Sequence, residues 1–80
     1  MNHRLRLSTA TRIKAAEAGL WQTSSGKCVA IAQMNDAHLV NALLKALQEQ
    51  EPTAVSTALS VEVRRRGLQE YAFSVAREKV

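Results

Sequence analysis

Cys28, His38 and Asn41 are the residue types from which a cysteine hydrolase builds its nucleophile, base and orienting amide. Their surroundings do not suit that chemistry. Cys28 falls in an apolar run, Cys28-Val29-Ala30-Ile31-Ala32, where cysteine behaves as a small hydrophobe. No Gly-rich elbow or helix start presents the thiol, and no oxyanion-hole motif accompanies it. His3, His38 and Cys28 lack the short ligand spacings of structural zinc sites. No phosphate-cradling loop, dinucleotide fingerprint or H-E-x-x-H helix is present. Asp and Glu total only 7 and are scattered, which leaves little material for a paired-carboxylate site. The expectation is a protein without catalytic residues, metal or cofactor.

Other residues have the character of contacts. His38, Asn41, Lys45 and Gln48 recur at i, i+3, i+7 and i+10, a polar stripe along one side of a helix. His38 and Asn41 can fix the angle between this helix and the preceding chain, or face a partner. Arg64-Arg65-Arg66 is the one dense charge run. On a helix these residues spread over about 200° of arc, so they cannot share one face. Glu62 and Arg66 stand at i, i+4 and can pair; the rest of the run can meet phosphate or an acidic protein patch. Trp21 serves either as a core anchor or as an interface hot spot. The candidate partner-binding set is therefore Trp21, His38, Asn41, Lys45, Arg64, Arg65 and Arg66. Replacing the three arginines by alanine is expected to weaken partner capture and leave the fold intact.

The elements that must position these residues follow from pattern. Residues 1–7 read as a basic arm in which Leu5 and Leu7 alternate with Arg4 and Arg6. Residues 9–18 read as a short helix, with Ser8 or Thr9 as N-cap and Gly19 at the C′ position. Residues 20–33 read as a β-hairpin. Leu20-Trp21-Gln22-Thr23 is one strand, Ser24-Ser25-Gly26-Lys27 the turn, and Cys28–Ala32 the return, with Val29 and Ile31 on one face. Residues 35–50 carry the clearest helix: Asn35 as N-cap, Asp36 in the first turn, and Met34 and Leu39 placed for a hydrophobic staple. Leu39, Val40, Leu43, Leu44 and Leu47 form its apolar stripe. Pro52 separates it from a second long helix over 54–79, whose start is ambiguous because Leu59–Val63 also alternates like a strand. Gly67 inside that helix costs about 1 kcal/mol relative to alanine, or marks a break. The expected fold is α+β: a short N-terminal helix, a β-hairpin, then two longer helices packed on it and on each other, all in one domain.

An 80-residue chain has a thin core. Hydrophobic residues make up 46%, but much of this is alanine and only Trp21, Tyr71 and Phe73 are aromatic. Self-association would bury more apolar surface, so a homo-oligomer is one expectation. A single cysteine excludes an internal disulfide. No apolar run approaches the length of a membrane span, and Met1–Leu7 lacks the apolar stretch of a secretory signal. The cytoplasm is the expected compartment. The net charge of +4 favours acidic partners, nucleic acid among them.

The stretch Trp21-Gln22-Thr23 … Gly26 … Ile31 … Met34 … His38-Leu39-Val40-Asn41-Ala42 resembles a pattern of small phage and prophage proteins, W-x-T-x-x-G-x-x-x-x-I-x-x-M-x-x-x-H-L-x-N-A followed by a helix. The resemblance covers residues 21–47. It implies a phage-type protein acting in a bacterial host cell, where such proteins bind and divert host machinery or block host defence; it carries over no catalytic residue. The leading expectation is a protein–protein interaction module that modulates a bacterial host protein. The alternative is a small basic DNA- or RNA-binding regulator.

Overall fold

Left-handed backbone at Gly19, Gln50 and Gly67 cuts the chain into its parts (φ 82°, 55° and 70°). The computed structural model describes residues 9–23 and 27–78. Within them, α1 spans Thr9–Glu17, β1 Leu20–Gln22, β2 Cys28–Ala30, a 3-10 turn Ile31–Gln33, α2 Asp36–Gln48, α3 Thr53–Arg65 and α4 Gln69–Glu78. The fold is α+β, with a short first helix, an antiparallel hairpin and then helices. The expected basic arm at 1–7, the Ser8 cap and the Gly26 turn lie outside the described residues.

The hairpin pairs Leu20 with Ala30, Trp21 with Val29 and Gln22 with Cys28. The Thr23 amide extends it by donating to the Lys27 carbonyl (2.7 Å). Its second strand stops at Ala30, two residues earlier than the alternation suggests. The Ile31 amide still donates to the Gly19 carbonyl (2.8 Å), and the chain then turns. The reason is packing. Ile31 and Met34 are both buried. Three residues apart, they would point to opposite faces of a strand, whereas a 3-10 turn brings i and i+3 to the same side.

Asn35 caps α2: its side-chain oxygen accepts from the His38 amide at 2.8 Å. Met34 at N′ and Leu39 at N4 both enter the core, the arrangement of a hydrophobic staple. The buried face of α2 holds Leu39, Val40 and Leu43 of the expected stripe, adds Ala42 and Ala46, and leaves out Leu47. Leu39, Ala42, Leu43 and Ala46 make an i, i+3, i+4, i+7 row, joined by Val40. Leu44 is half-buried, and Leu47, at the margin of this arc, is 58% exposed.

The helix expected over 54–79 is two helices. Gly67 adopts the left-handed conformation, its amide donates to the Arg64 carbonyl (3.0 Å), and the Leu68 amide donates to the Val63 carbonyl (2.9 Å). This is a Schellman ending. Residues 54–63, ambiguous in sequence, are helical; Val55, Leu59, Glu62 and Val63 bury at helical spacing. α3 is the hub, packed by α1, α2, α4 and the 3-10 turn, while the hairpin leans chiefly on α1. α4 covers the core with Ala72 and Val75, joined by Leu68 just before it, yet has no fully buried residue.

α2 ends by the same device two residues before Pro52. The Gln50 amide donates to the Leu47 carbonyl (3.3 Å) and the Glu51 amide to the Ala46 carbonyl (2.9 Å). Gln50 therefore holds a left-handed position that costs an L-residue with a Cβ about 1–2 kcal/mol. Gln50→Gly is expected to raise stability by about 1 kcal/mol, read as a higher urea midpoint; a lower midpoint would show that the Gln50 side chain stabilises the fold in another way.

Candidate functional site

Glu62 is the one buried charged residue among those described, at 8% exposure. Two guanidinium groups hold it. Arg65 donates from Nε to Oε1 (3.0 Å) and from Nη2 to Oε2 (2.6 Å), and Arg66 donates from Nε to Oε2 (2.7 Å). Arg66 continues outward, from Nη1 to Asp36 Oδ1 (3.0 Å) and from Nη2 to the carbonyls of Ile31 (3.3 Å) and Ala32 (3.2 Å). The Glu62–Arg66 pair was legible as an i, i+4 spacing. The reach to Asp36 and to the 3-10 turn was not, because nothing local links residues thirty or more positions apart. A second ion pair, Arg12–Glu51, joins α1 to the connection between α2 and α3.

These contacts divide the arginine run. Arg66, with its side chain 16% exposed, is a structural residue. The expectation that all three arginines can be removed without disturbing the fold is therefore corrected. Arg65 stays 64% exposed while spending its donors on Glu62. Arg64 makes no ion pair or hydrogen bond through its side chain among the described residues.

The other candidates scatter. Trp21 is 9% exposed and sits in the core cluster, which makes it an anchor of the hairpin and not a surface hot spot. His38 is exposed and contributes its backbone amide to the Asn35 cap; its ring does not tie the hairpin to α2. Asn41 is exposed and its Nδ2 donates to the Ala37 carbonyl one turn earlier (2.8 Å), so the side chain is spent on its own helix. Lys45 is exposed on the same outer side of α2. Cys28 is exposed rather than buried as a small hydrophobe. Among the described residues no hydrogen bond links it to His38 or Asn41, no cluster of His, Cys, Asp and Glu could hold a metal ion, and no helix is long and apolar enough to cross a membrane.

What the structure brings together is a groove between α2 and α3, of about 330 Å³. Leu43 and Leu47 form the α2 wall; Ser56, Thr57, Ser60 and Val61 form the α3 wall, with Arg64 at the end. Leu47 and Val61 are 58% and 56% exposed. Isolated exposed apolar residues such as Tyr71 and Phe73 on α4 are ordinary. Leu47 and Val61 differ because they line one concave surface. Leu47 belongs by periodicity to the apolar stripe of α2, and Val61 lies in the stretch that alternates like a strand; the signal for the groove is the Ser56/Ser60 spacing on α3, two small polar side chains one turn apart.

Comparison with known proteins adds no relative: no family model, curated protein or solved structure matches the chain.

The paired guanidinium groups of Arg65 and then Arg66 lower the Glu62 pKa from 4.5 to about 2, against an opposing effect of burial. A depressed folded-state pKa stabilises the protein fully above the unfolded value, and this stabilisation fades as pH falls from about 4.5 toward 2. Acid unfolding is expected to steepen in that window, and Glu62→Gln is expected to flatten its pH dependence there while lowering stability at pH 7. Parallel acid limbs for the two proteins, followed by circular dichroism, would contradict this linkage.

Proposed function

We infer that this chain is a protein-binding module that docks a partner through the α2–α3 groove. The observation that carries the reading is one concavity lined by the exposed Leu47 and Val61, with the uncompensated Arg64 at its end. Apolar side chains in a concave site, ringed by polar ones, are where truncation at an interface costs most. The identity proposed for the partner, a protein of a bacterial host, is supported by the phage-type pattern of residues 21–47 alone. On that basis the activity is modulation of host machinery or blocking of host defence, exerted in the cytoplasm and without catalysis.

Nucleic-acid binding is the weaker reading. It draws on the net charge of +4, but Arg65 and Arg66 are committed to Glu62 and Asp36, and Arg12 to Glu51. A phosphate backbone is engaged by several free cations in register, and of the arginine run only Arg64 remains free.

A photo-crosslinking side chain in place of Val61 tests the reading in bacterial cells. The expected result is a discrete protein adduct that disappears when Leu47→Asp is added, with no adduct when the same probe replaces Lys14 on α1. Adducts from the Lys14 position and none from Val61, or adducts with nucleic acid, would move the working surface elsewhere.

A further inference from the structure

The groove has two unlike walls. On α2, Leu43 and Leu47 follow Asp36 by 7 and 11 positions, which sets all three within about 20° of one line along the helix. That row runs from a carboxylate to two leucines. On α3, Ser56, Ser60 and Arg64 repeat at i, i+4 and i+8, a row of small side chains that ends in a cation. α2 and α3 run antiparallel, since Arg66 at the end of α3 bonds Asp36 at the start of α2 (3.0 Å). The acid of one row and the base of the other therefore stand at the same end of the groove.

A surface built this way is complementary to itself. A two-fold interface sets the same patch of both copies together, so one half of the patch must fit the other half. With the axis along the groove, α3 of one copy faces α2 of the second copy at the same height and antiparallel to it. The leucine row then meets the low serine row, and Arg64 meets Asp36 of the second copy, twice over by symmetry. Both groups can take that partner. Arg64 has none of its own among the described residues. The Asp36 side chain is 60% exposed and gives Arg66 only its Oδ1, while a carboxylate accepts several donors. An axis across the groove would set Arg64 against the first turn of α3, which carries no acidic residue. The axis along the groove assembles four antiparallel helices of 13 residues, each about 20 Å long. This is the layout of a four-helix bundle, and Leu47 and Val61, more than half exposed in one copy, fall in its shared core.

We propose that a second copy of this chain closes the groove, in a two-fold dimer whose axis runs along it and whose rim carries two Arg64–Asp36 ion pairs. This dimer rests on the groove being the docking surface and adds how that surface is regulated. Self-association and docking of another protein use the same side chains and exclude each other, so dissociation of the dimer sets how much docking surface is open. A chain of 80 residues with a thin core gains buried apolar area by such pairing.

Sedimentation equilibrium of the full chain over a wide concentration range is the direct test, with circular dichroism to confirm that each variant is folded. The expected outcome is a monomer–dimer equilibrium. Leu47→Asp abolishes the dimer, and Arg64→Glu weakens it about tenfold because two attractions become repulsions. Asp36→Lys weakens it likewise. Mixing the Arg64→Glu and Asp36→Lys chains restores a dimer at concentrations where neither chain pairs alone, since both ion pairs are then opposite in sign again. Where Asp36→Lys fails to fold, Asp36→Asn keeps an acceptor for Arg66 and carries the comparison: it weakens the native dimer and strengthens that of Arg64→Glu. A chain that stays monomeric throughout, a dimer indifferent to Leu47→Asp, or charge variants that do not compensate one another overturn this inference. In any of these cases a Leu47-dependent adduct between Val61 and another protein in bacterial cells, whether its occupying segment is helical or extended, leaves the docking surface standing. Loss of that adduct as well overturns both.

Discussion

The guanidinium of Arg66 bonds acceptors from three separate parts of the chain: the Glu62 carboxylate on its own helix, Asp36 at the start of α2, and the Ile31 and Ala32 carbonyls of the 3-10 turn. Each of these groups suits a cation for its own reason. Glu62 is buried and cannot stay ionised alone. Ile31 and Ala32 stand where the second strand has stopped: the Ile31 carbonyl accepts from the Met34 amide (3.2 Å), and Arg66 adds a bond to it and to the Ala32 carbonyl. Asp36 opens a helix that favours negative charge. One planar, always-charged group with a fork of donors meets all of them, which lysine could not do. Removing it would leave the buried Glu62 to Arg65 alone and would cut the side-chain link from the end of α3 to Asp36 and the 3-10 turn.

The geometry of the groove follows from that tie. α2 and α3 are joined at one end by residues 49–52, where the left-handed Gln50 reverses the chain and Arg12 holds Glu51. At the other end Arg66 fastens the close of α3 to the start of α2. Between these two fixed points the helices pack through Leu39, Leu43, Val55, Leu59 and Val63, and Leu47 and Val61 at their outer margins line an open groove. The exposed apolar surface is thus set by where the helices are pinned. It is also why Arg64 is available: the other two arginines of the run are held by Glu62.

Features carried by short-range chemistry were readable from the residues. Asn35 as cap, Met34 and Leu39 as staple, Gly19 as the end of α1 and the Trp21-to-Val29 ribbon all depend on residues within about ten positions of one another. Features decided by tertiary packing were not. Periodicity made Leu47 as apolar as Leu43, and only the placement of α3 separates them. The alternation Val29–Ile31 predicted a longer strand, and only the pull of Met34 into the same core as Ile31 shows why the chain turns. Gly67 was weighed as a costly helix residue or a break, and the break prevails because Leu68 then packs on the core. The arginine run looked uniform, and a buried glutamate divides it into one structural, one paired and one free residue.

If Arg66 is the tie that sets the helix pair and so the groove, the three arginines must differ sharply when removed one at a time. Urea unfolding of Arg64→Ala, Arg65→Ala and Arg66→Ala at neutral pH measures this directly. Arg64→Ala is expected to stay within about 0.5 kcal/mol of the native chain, and Arg66→Ala to have by far the lowest midpoint. Equal midpoints for the Arg64 and Arg66 variants would mean that the helix pair holds without that guanidinium.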